Sequence, residues 1–228
     1  MALKQGRWRR ATLWMGALLC VGAACAATPS VKSSDLRGFV SDGIAGALLF
    51  QRCEAGGPAA TQMLLRDKSA GSLLIAGIGE VRRARQDADQ PLYVEFRGDV
   101  EEKGATALQF YRAIGHVTSC TSLPAVQSGV QLLAEGTQPA WRLQATPAGT
   151  RLERVGHKPV RFAPIKLTAN DSAAKARSYQ AAAVAGGERM SLELTEQACN
   201  DNAAEAAFGA RVTAQWGAQR LEGCAARF

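Results

Sequence analysis

Two histidines, twenty carboxylates and six cysteines are the groups in this 228-residue chain with the reach of acid, base or nucleophilic chemistry. Nucleophilic hydrolysis needs a serine on a sharp turn with a histidine in reach, and no G-x-S-x-G occurs. His116 sits between Ile114 and Cys120 at the end of an apolar run, and His157 lies in the turn Val155-Gly156-His157-Lys158-Pro159. Neither has the sequence neighbours of a general base. Two histidines also underligand zinc or copper. With no H-E-x-x-H, no Walker-type glycine loop and no dinucleotide fingerprint, neither metal nor cofactor is expected. Glycan hydrolysis asks for two acids at a fixed separation. Glu101-Glu102, followed by Lys103-Gly104, has the form of a charged hairpin turn, which leaves Asp201 and Glu205, beside Cys199, as the candidate pair. Asp201 equally suits a turn hydrogen bond to backbone amides. Trp141, directly after Gln138-Pro139-Ala140, falls near a strand start, where an indole either fills a core or forms a platform for a sugar or peptide. Trp216 suits the core.

The net charge of +7 suggests nucleic acid until it is located. Lys4, Arg7, Arg9 and Arg10 supply four of the positive charges, and residues 27–228 keep 23 basic against 20 acidic side chains. The densest remaining basic cluster, Arg82, Arg83 and Arg85, runs at once into Asp87 and Asp89. No concentrated basic stripe exists, so nucleic acid is not an expected partner. The N-terminal charges instead open an export signal. No charged residue follows Arg10 until Lys32, Leu13–Val21 is a compact apolar run, and Ala24-Cys25-Ala26 offers small residues for cleavage before Ala27. Gly22-Ala23-Ala24-Cys25 also permits a lipid anchor on Cys25, although the usual Leu is missing. Arg9-Arg10 has poor flanks for a twin-arginine signal. Retention as an uncleaved membrane span is a third possibility, opposed by the Ala, Gly, Thr, Pro and Ser in the second half of the uncharged stretch.

Export decides how the cysteines are read, because thiols pair in an oxidising compartment. Cys53, Cys120, Cys199 and Cys224 remain in the mature chain, and four cysteines allow three connectivities. Proximity and the division of the chain favour Cys53–Cys120 and Cys199–Cys224. A tetrathiolate metal site would need close cysteine pairs, and none is present.

The elements that would position these residues fall in two halves. The uncharged stretch 121–129, rich in Pro, Gly and small polar residues, serves as a linker between a domain at 35–120, preceded by a tail at 27–34, and a domain at 130–228. In the first half, Leu36–Ser41, Ala47–Cys53, Thr61–Arg66, Pro91–Arg97 and Ala107–Val117 read as strands, and Leu92, Val94 and Phe96 alternate with Tyr93, Glu95 and Arg97 as in a half-buried strand. Between the third and fourth, Ser69 or Ser72 caps a helix with Leu74, Ile78, Val81 and Arg85 on one face, though Gly77 and Gly79 weaken it. Three strands, a helix and two strands is the order of an OB-fold. The second half shows short apolar runs between turn signals: Val130–Ala134, Ala140–Ala145, Val160–Ala169, Ala176–Ala185, Met190–Thr195, Phe208–Trp216 and Arg220–Cys224. Ala185-Gly186-Gly187-Glu188 is its clearest hairpin turn, and Asn202–Ala207 suits a short helical turn. The expected fold is mainly β, with two small β-barrel domains, the first OB-like with one helix, the second an all-β barrel, and one disulfide in each.

Gly136-Thr137-Gln138-Pro139-Ala140-Trp141, Cys199-Asn200-Asp201 and Leu221-Glu222-Gly223-Cys224-Ala225 occur in that order. Over about residues 130–226 this resembles a family of uncharacterised bacterial envelope proteins, often described as predicted membrane proteins or lipoproteins. Its hallmarks are a Gly-Asn-Glu-Pro-Phe-Trp-like start, a Cys-x-Asp segment and a closing Gly-Cys-Ala. The chain departs from that pattern at Thr137, Gln138 and Ala140, and at Ala203-Ala204-Glu205, where the family commonly has Met-Ser-Asp. In the first half, Phe50-Gln51-Arg52-Cys53 and Pro91-Leu92-Tyr93-Val94-Glu95-Phe96-Arg97-Gly98 resemble a domain of envelope lipoproteins related to the NlpE copper-stress group. Both resemblances imply an extracytoplasmic location and a binding or structural role, with no catalytic residues to carry over.

The expected function is therefore non-catalytic recognition in a bacterial periplasm or envelope. The partner is an envelope protein, a cell-wall glycan or a small ligand, and membrane contact comes only through a lipid anchor or an uncleaved signal. Trp141, Asp201 and Glu205 are the candidate contacts. One alternative is an inhibitor that inserts the Cys199–Phe208 loop into a cell-wall lytic enzyme. The other is a glycan hydrolase using Asp201 and Glu205, which would need opposed environments for its acid and base.

Overall fold

A computed structural model of the chain describes residues 33–54, 57–85, 89–102, 104–122, 129–170, 178–185, 188–201 and 205–228. The expected export signal with Cys25, most of the 121–129 linker, Asp87, Lys103 and the Gly186-Gly187 turn lie outside them. No helix among the described residues is long and apolar enough to cross a membrane.

Five strands make a closed barrel: β1 (Ser34–Asp42), β2 (Leu48–Glu54), β3 (Gly57–Asp67), β4 (Leu92–Glu101) and β5 (Gly104–Ile114). β1 pairs antiparallel with β2 and β4, β2 with β3, and β4 with β5. Closure comes from a parallel pairing of Leu64–Asp67 with Gly104–Ala107. The helix α1 (Leu73–Ala84) lies between β3 and β4 in sequence and buries Leu74, Gly77, Ile78 and Val81. The residues just before it satisfy its first amides: Leu74 N donates to Ser69 Oγ at 3.2 Å and Ile75 N to Asp67 Oδ2 at 2.9 Å. Ser72 occupies the cap position without a side-chain bond. Gly77 is unfavourable for helix propensity yet suits the packing, because a Cβ there would sit 2.5 Å from the Phe110 ring. Phe50 and Phe96 meet edge to face inside the barrel, with centroids 5.1 Å apart.

The second half is antiparallel throughout. Its strands are β6 (Leu132–Thr137), β7 (Ala140–Thr146), β8 (Gly149–Arg154), β9 (Val160–Phe162), β10 (Thr168–Asn170), β11 (Ser178–Ala185), β12 (Glu188–Asp201), β13 (Ala206–Trp216) and β14 (Gln219–Arg227). They run in the order β10-β11-β12-β13-β14-β6-β7-β8-β9, and the sheet curls until Ala163 N donates to Val184 O at 3.0 Å. Alternate residues point into one core, among them Leu143, Leu152, Met190, Leu192, Leu194 and Val212. Three stretches differ from the sequence expectation. β8 is additional, since only Thr150 and Leu152 face inward and two such residues make a faint alternation. The run expected at Val160–Ala169 is divided into β9 and β10, with Pro164, which has no N–H for the ladder, in the gap. Ala206 and Ala207, expected in a helical turn, are strand residues of β13.

Thr150 is buried in this core, and its Oγ1 has no hydrogen-bond partner. The near-isosteric Thr150→Val is therefore expected to stabilise the fold by about 1 kcal/mol. A urea titration with an unchanged slope and a higher midpoint supports this, and a lower midpoint refutes it.

β13 joins the halves. One of its edges follows β12, while the other pairs with β14 over Ala210–Trp216 and with Arg112–Ile114 of β5 over Ala206–Phe208. A third apolar cluster forms at this junction, including Tyr93, Tyr111, Ile114, Val117 and Phe208. The two disulfides, Cys53–Cys120 and Cys199–Cys224, border the same cluster, each with Cα atoms 5.5 Å apart. The covering explains why β4 is not half-exposed as its alternation suggested. Tyr93 and Glu95 face the junction and are as buried as Leu92, Val94 and Phe96 on the barrel side. Glu95 meets Arg112 there, with Arg112 Nε donating at 2.6 Å to one carboxylate oxygen while Arg112 Nη2 and Tyr93 Oη donate to the other.

Candidate functional site

Near this junction the strand ends of β6, β7, β12 and β14 surround a groove. β12 carries a bulge between Glu196 and Cys199, and the disulfide to Cys224 pins the strand beyond it. That places Asn200 and Asp201 beside the β6–β7 hairpin. Below them, strand register sets Arg211, Cys224, Glu135, Arg142 and Glu153 in one row across β13, β14, β6, β7 and β8. Glu135, Thr137, Gln138, Asn200, Asp201, Arg211, Glu222 and the disulfide line a space of about 460 Å³. A neighbouring space of about 420 Å³ shares Glu135, Gly136, Thr137 and Asp201 and extends to Trp141, Arg142, Glu153 and Val155.

Two of the groove's carboxylates are shielded from solvent. Asp201 is buried, and Glu135 is half-buried beside it. Burial holds the Glu135 carboxyl above its ordinary pKa of 4.5, and the Asp201 charge adds to that rise, while Arg142, Arg112 and His116 oppose it. Asn200 Nδ2 donates to Glu80 Oε2 at 3.4 Å, and its buried Oδ1 has no partner. The groove therefore presents carboxylate, amide and guanidinium groups side by side. Among the described residues, no group of three or more His, Cys, Asp or Glu side chains could hold a metal ion.

The residues singled out from sequence fare differently. Trp141 is only 4% exposed, and its Nε1 donates to Glu222 O at 3.0 Å, so the indole is chiefly core with an edge at the groove. Gly136 permits this, because a Cβ there would stand 2.5 Å from that Nε1 and 2.3 Å from Glu222 O. Asp201 lines the groove in both its parts. Glu205 is exposed on a turn with φ 47°, where its carbonyl accepts Gly115 N at 2.8 Å, and it does not line the groove. The acid beside Asp201 is instead Glu135, far away in sequence and placed by the β14–β6 register. Its only local mark is an acid immediately after the apolar run Leu132-Leu133-Ala134. The Cys199–Phe208 loop of the inhibitor reading includes 202–204, outside the described residues. Trp216 is half-buried; its Nε1 donates to Glu188 Oε2 at 2.7 Å, and Arg154 stacks 4.6 Å from the ring centroid. His116 and His157 are exposed.

Comparison of the chain with protein-family models, with curated proteins and with solved structures gives no match, so the groove is read from its own chemistry.

Proposed function

We propose that the protein is an exported, non-catalytic recognition protein of a bacterial cell envelope. In this reading an OB-like barrel adjoins a second all-β barrel, the groove belongs to the second, and its ligand is a cell-wall glycan fragment. Export follows from residues 1–26, and the two disulfides fit an oxidising compartment such as the periplasm. The observation that carries the reading is Glu135 held partly buried against Asp201 at the edge of Trp141. A hydroxyl- and amide-rich ligand finds acceptors at both carboxylates, both donor and acceptor groups at Gln138 and Asn200, and donors at Arg142 and Arg211. The departures at Thr137, Gln138 and Ala140 fall on this rim and would alter selectivity relative to the family the sequence resembles.

Glu135 also makes the reading testable through stability. A carboxyl whose folded pKa lies above its unfolded value favours folding below the unfolded pKa and loses that contribution as the pH rises through the folded pKa. Above the ordinary carboxylate range Glu135 is therefore a burden on folding, which Glu135→Gln removes. The variant is expected to melt higher than the wild type at pH 7, with the difference shrinking as the pH falls below the ordinary carboxylate range. Calorimetric titration with soluble peptidoglycan fragments should meanwhile show at least about tenfold weaker binding for Glu135→Gln and Asp201→Asn. Equal affinity in all three proteins refutes the groove as the binding site.

Glycan hydrolysis is the second reading, favoured by one observation: an acid with a raised pKa beside another carboxylate is the pairing such enzymes use. Its acids would be Glu135 and Asp201 in place of Asp201 and Glu205. Release of new reducing ends by the wild type, lost in both amide variants, would establish it over recognition.

A further inference from the structure

A second hollow opens where β5 changes partners. β3 accompanies β5 as far as Asp67 opposite Ala107, and Lys68 N still donates to Ala107 O at 2.8 Å. β13 takes up the pairing only at Arg112. Over Leu108–Tyr111 neither strand pairs with that edge, and a cavity of about 270 Å³ lies there. Its apolar wall comes from Leu73 at the start of α1, Leu108, Phe110, Gly209 and Ala210. Gly209 allows the close approach, since a Cβ there would fall 2.2 Å from Phe110 O.

Arginines supply the cationic side. Arg97 lines the cavity, is exposed, and makes no ion pair with a carboxylate among the described residues. Asp35, its register neighbour on β1, accepts a hydrogen bond from Tyr111 Oη at 2.7 Å. Arg227 stacks 4.4 Å from the Tyr179 ring centroid, and its Nη2 donates to Glu196 Oε1 at 2.7 Å and to Tyr179 Oη at 3.1 Å. Its Nε is buried with no acceptor. Glu196, turned in beside the β12 bulge, is the one carboxylate among the described residues that lines the space, and it is already paired with Arg227. Ser69 and Asp67 occupy the amides of Leu74 and Ile75, so the arginines rather than the helix start would meet an anion.

We infer that this cavity binds a small carboxylate with a compact apolar body. The carboxylate accepts from Arg97, next to the Arg227–Glu196 pair, while the hydrocarbon replaces water against Leu73, Leu108 and Phe110. Charge-assisted bonds to guanidinium groups are among the stronger polar contacts, and Arg97 has no carboxylate partner among the described residues to compete for it. The volume lies just below the range of drug-sized pockets, which fits a short aliphatic or aromatic acid better than a long acyl chain. This site is independent of the groove at Glu135.

The test is calorimetric titration of the full chain with octanoate, and with 1-octanol as the neutral analogue, in the wild type, Arg97→Gln and Glu135→Gln. Arg97 is exposed, so its replacement leaves the fold intact. Expected are saturable octanoate binding at one site, octanol at least about tenfold weaker, a similar loss in Arg97→Gln, and wild-type affinity in Glu135→Gln. Absence of saturable octanoate binding, octanol as tight as octanoate, or unchanged affinity in Arg97→Gln each overturns the proposal.

Discussion

Replacing Glu95 by alanine is expected to remove roughly 3 to 5 kcal/mol of folding stability, the largest effect of any single substitution considered. Both side chains of the Glu95–Arg112 pair are nearly inaccessible, at 6% and 5% exposure. Without Glu95 the Arg112 charge stays buried with no counter-ion, and Tyr93 Oη loses its acceptor. Burial is the first cause that holds the Tyr93 phenol above its ordinary pKa, and it persists when Glu95 is removed. The pair itself contributes less than this number suggests, because desolvation of two charges offsets most of their attraction. Hence Glu95→Leu combined with Arg112→Met should recover most of the loss. Urea unfolding of the single and double variants decides the matter: an alanine variant within about 1 kcal/mol of wild type would mean that water reaches Arg112.

Loss of either disulfide is expected to weaken the fold nearly as much, with different consequences for the groove. Removing Cys199–Cys224, which spans 25 residues, costs about 3.5 kcal/mol in the chain-entropy model. Removing Cys53–Cys120, which spans 67, costs about 4.4 kcal/mol. Only the former forms a wall of the groove and fixes Asn200 and Asp201 beyond the β12 bulge. Paired serine variants, compared at a temperature where both remain folded, should therefore separate the two roles. Cys199→Ser with Cys224→Ser is expected to abolish binding of soluble peptidoglycan fragments, and Cys53→Ser with Cys120→Ser to leave it near wild type. Equal loss in both would place the ligand elsewhere.

Much of the local structure was legible in the sequence, because period-2 alternation and turn residues act over short distances. The run Leu92-Tyr93-Val94-Glu95-Phe96 became β4, the Leu74, Ile78 and Val81 stripe became the buried face of α1, and four cysteines in two compact stretches paired as their proximity suggested. What the alternation could not express was the second covering of β4, which depends on β13 crossing to β5 at Ala206–Phe208. The faint strand β8, with only Thr150 and Leu152 inward, fell below any compositional signal. The site was half legible for the same reason. Asp201 stood out beside a cysteine, whereas Glu135 acquires its meaning only when Cys224 stands opposite it across two strands that are distant in sequence. Glu205, close to Asp201 in sequence, lies across a strand-to-strand turn and faces Gly115 instead.

The central claim is that the groove around Glu135 and Asp201 recognises a cell-wall glycan without altering it. Its most direct test is a titration of isotope-labelled protein with soluble peptidoglycan fragments, followed through backbone amide resonances while the fragments are analysed for new reducing ends. Recognition predicts saturable shifts concentrated at Glu135–Gln138, Cys199–Asp201 and Glu222–Cys224, with the fragments unchanged at the end. Shifts confined to other surfaces, no shifts at saturating fragment concentration, or cleaved fragments would contradict it.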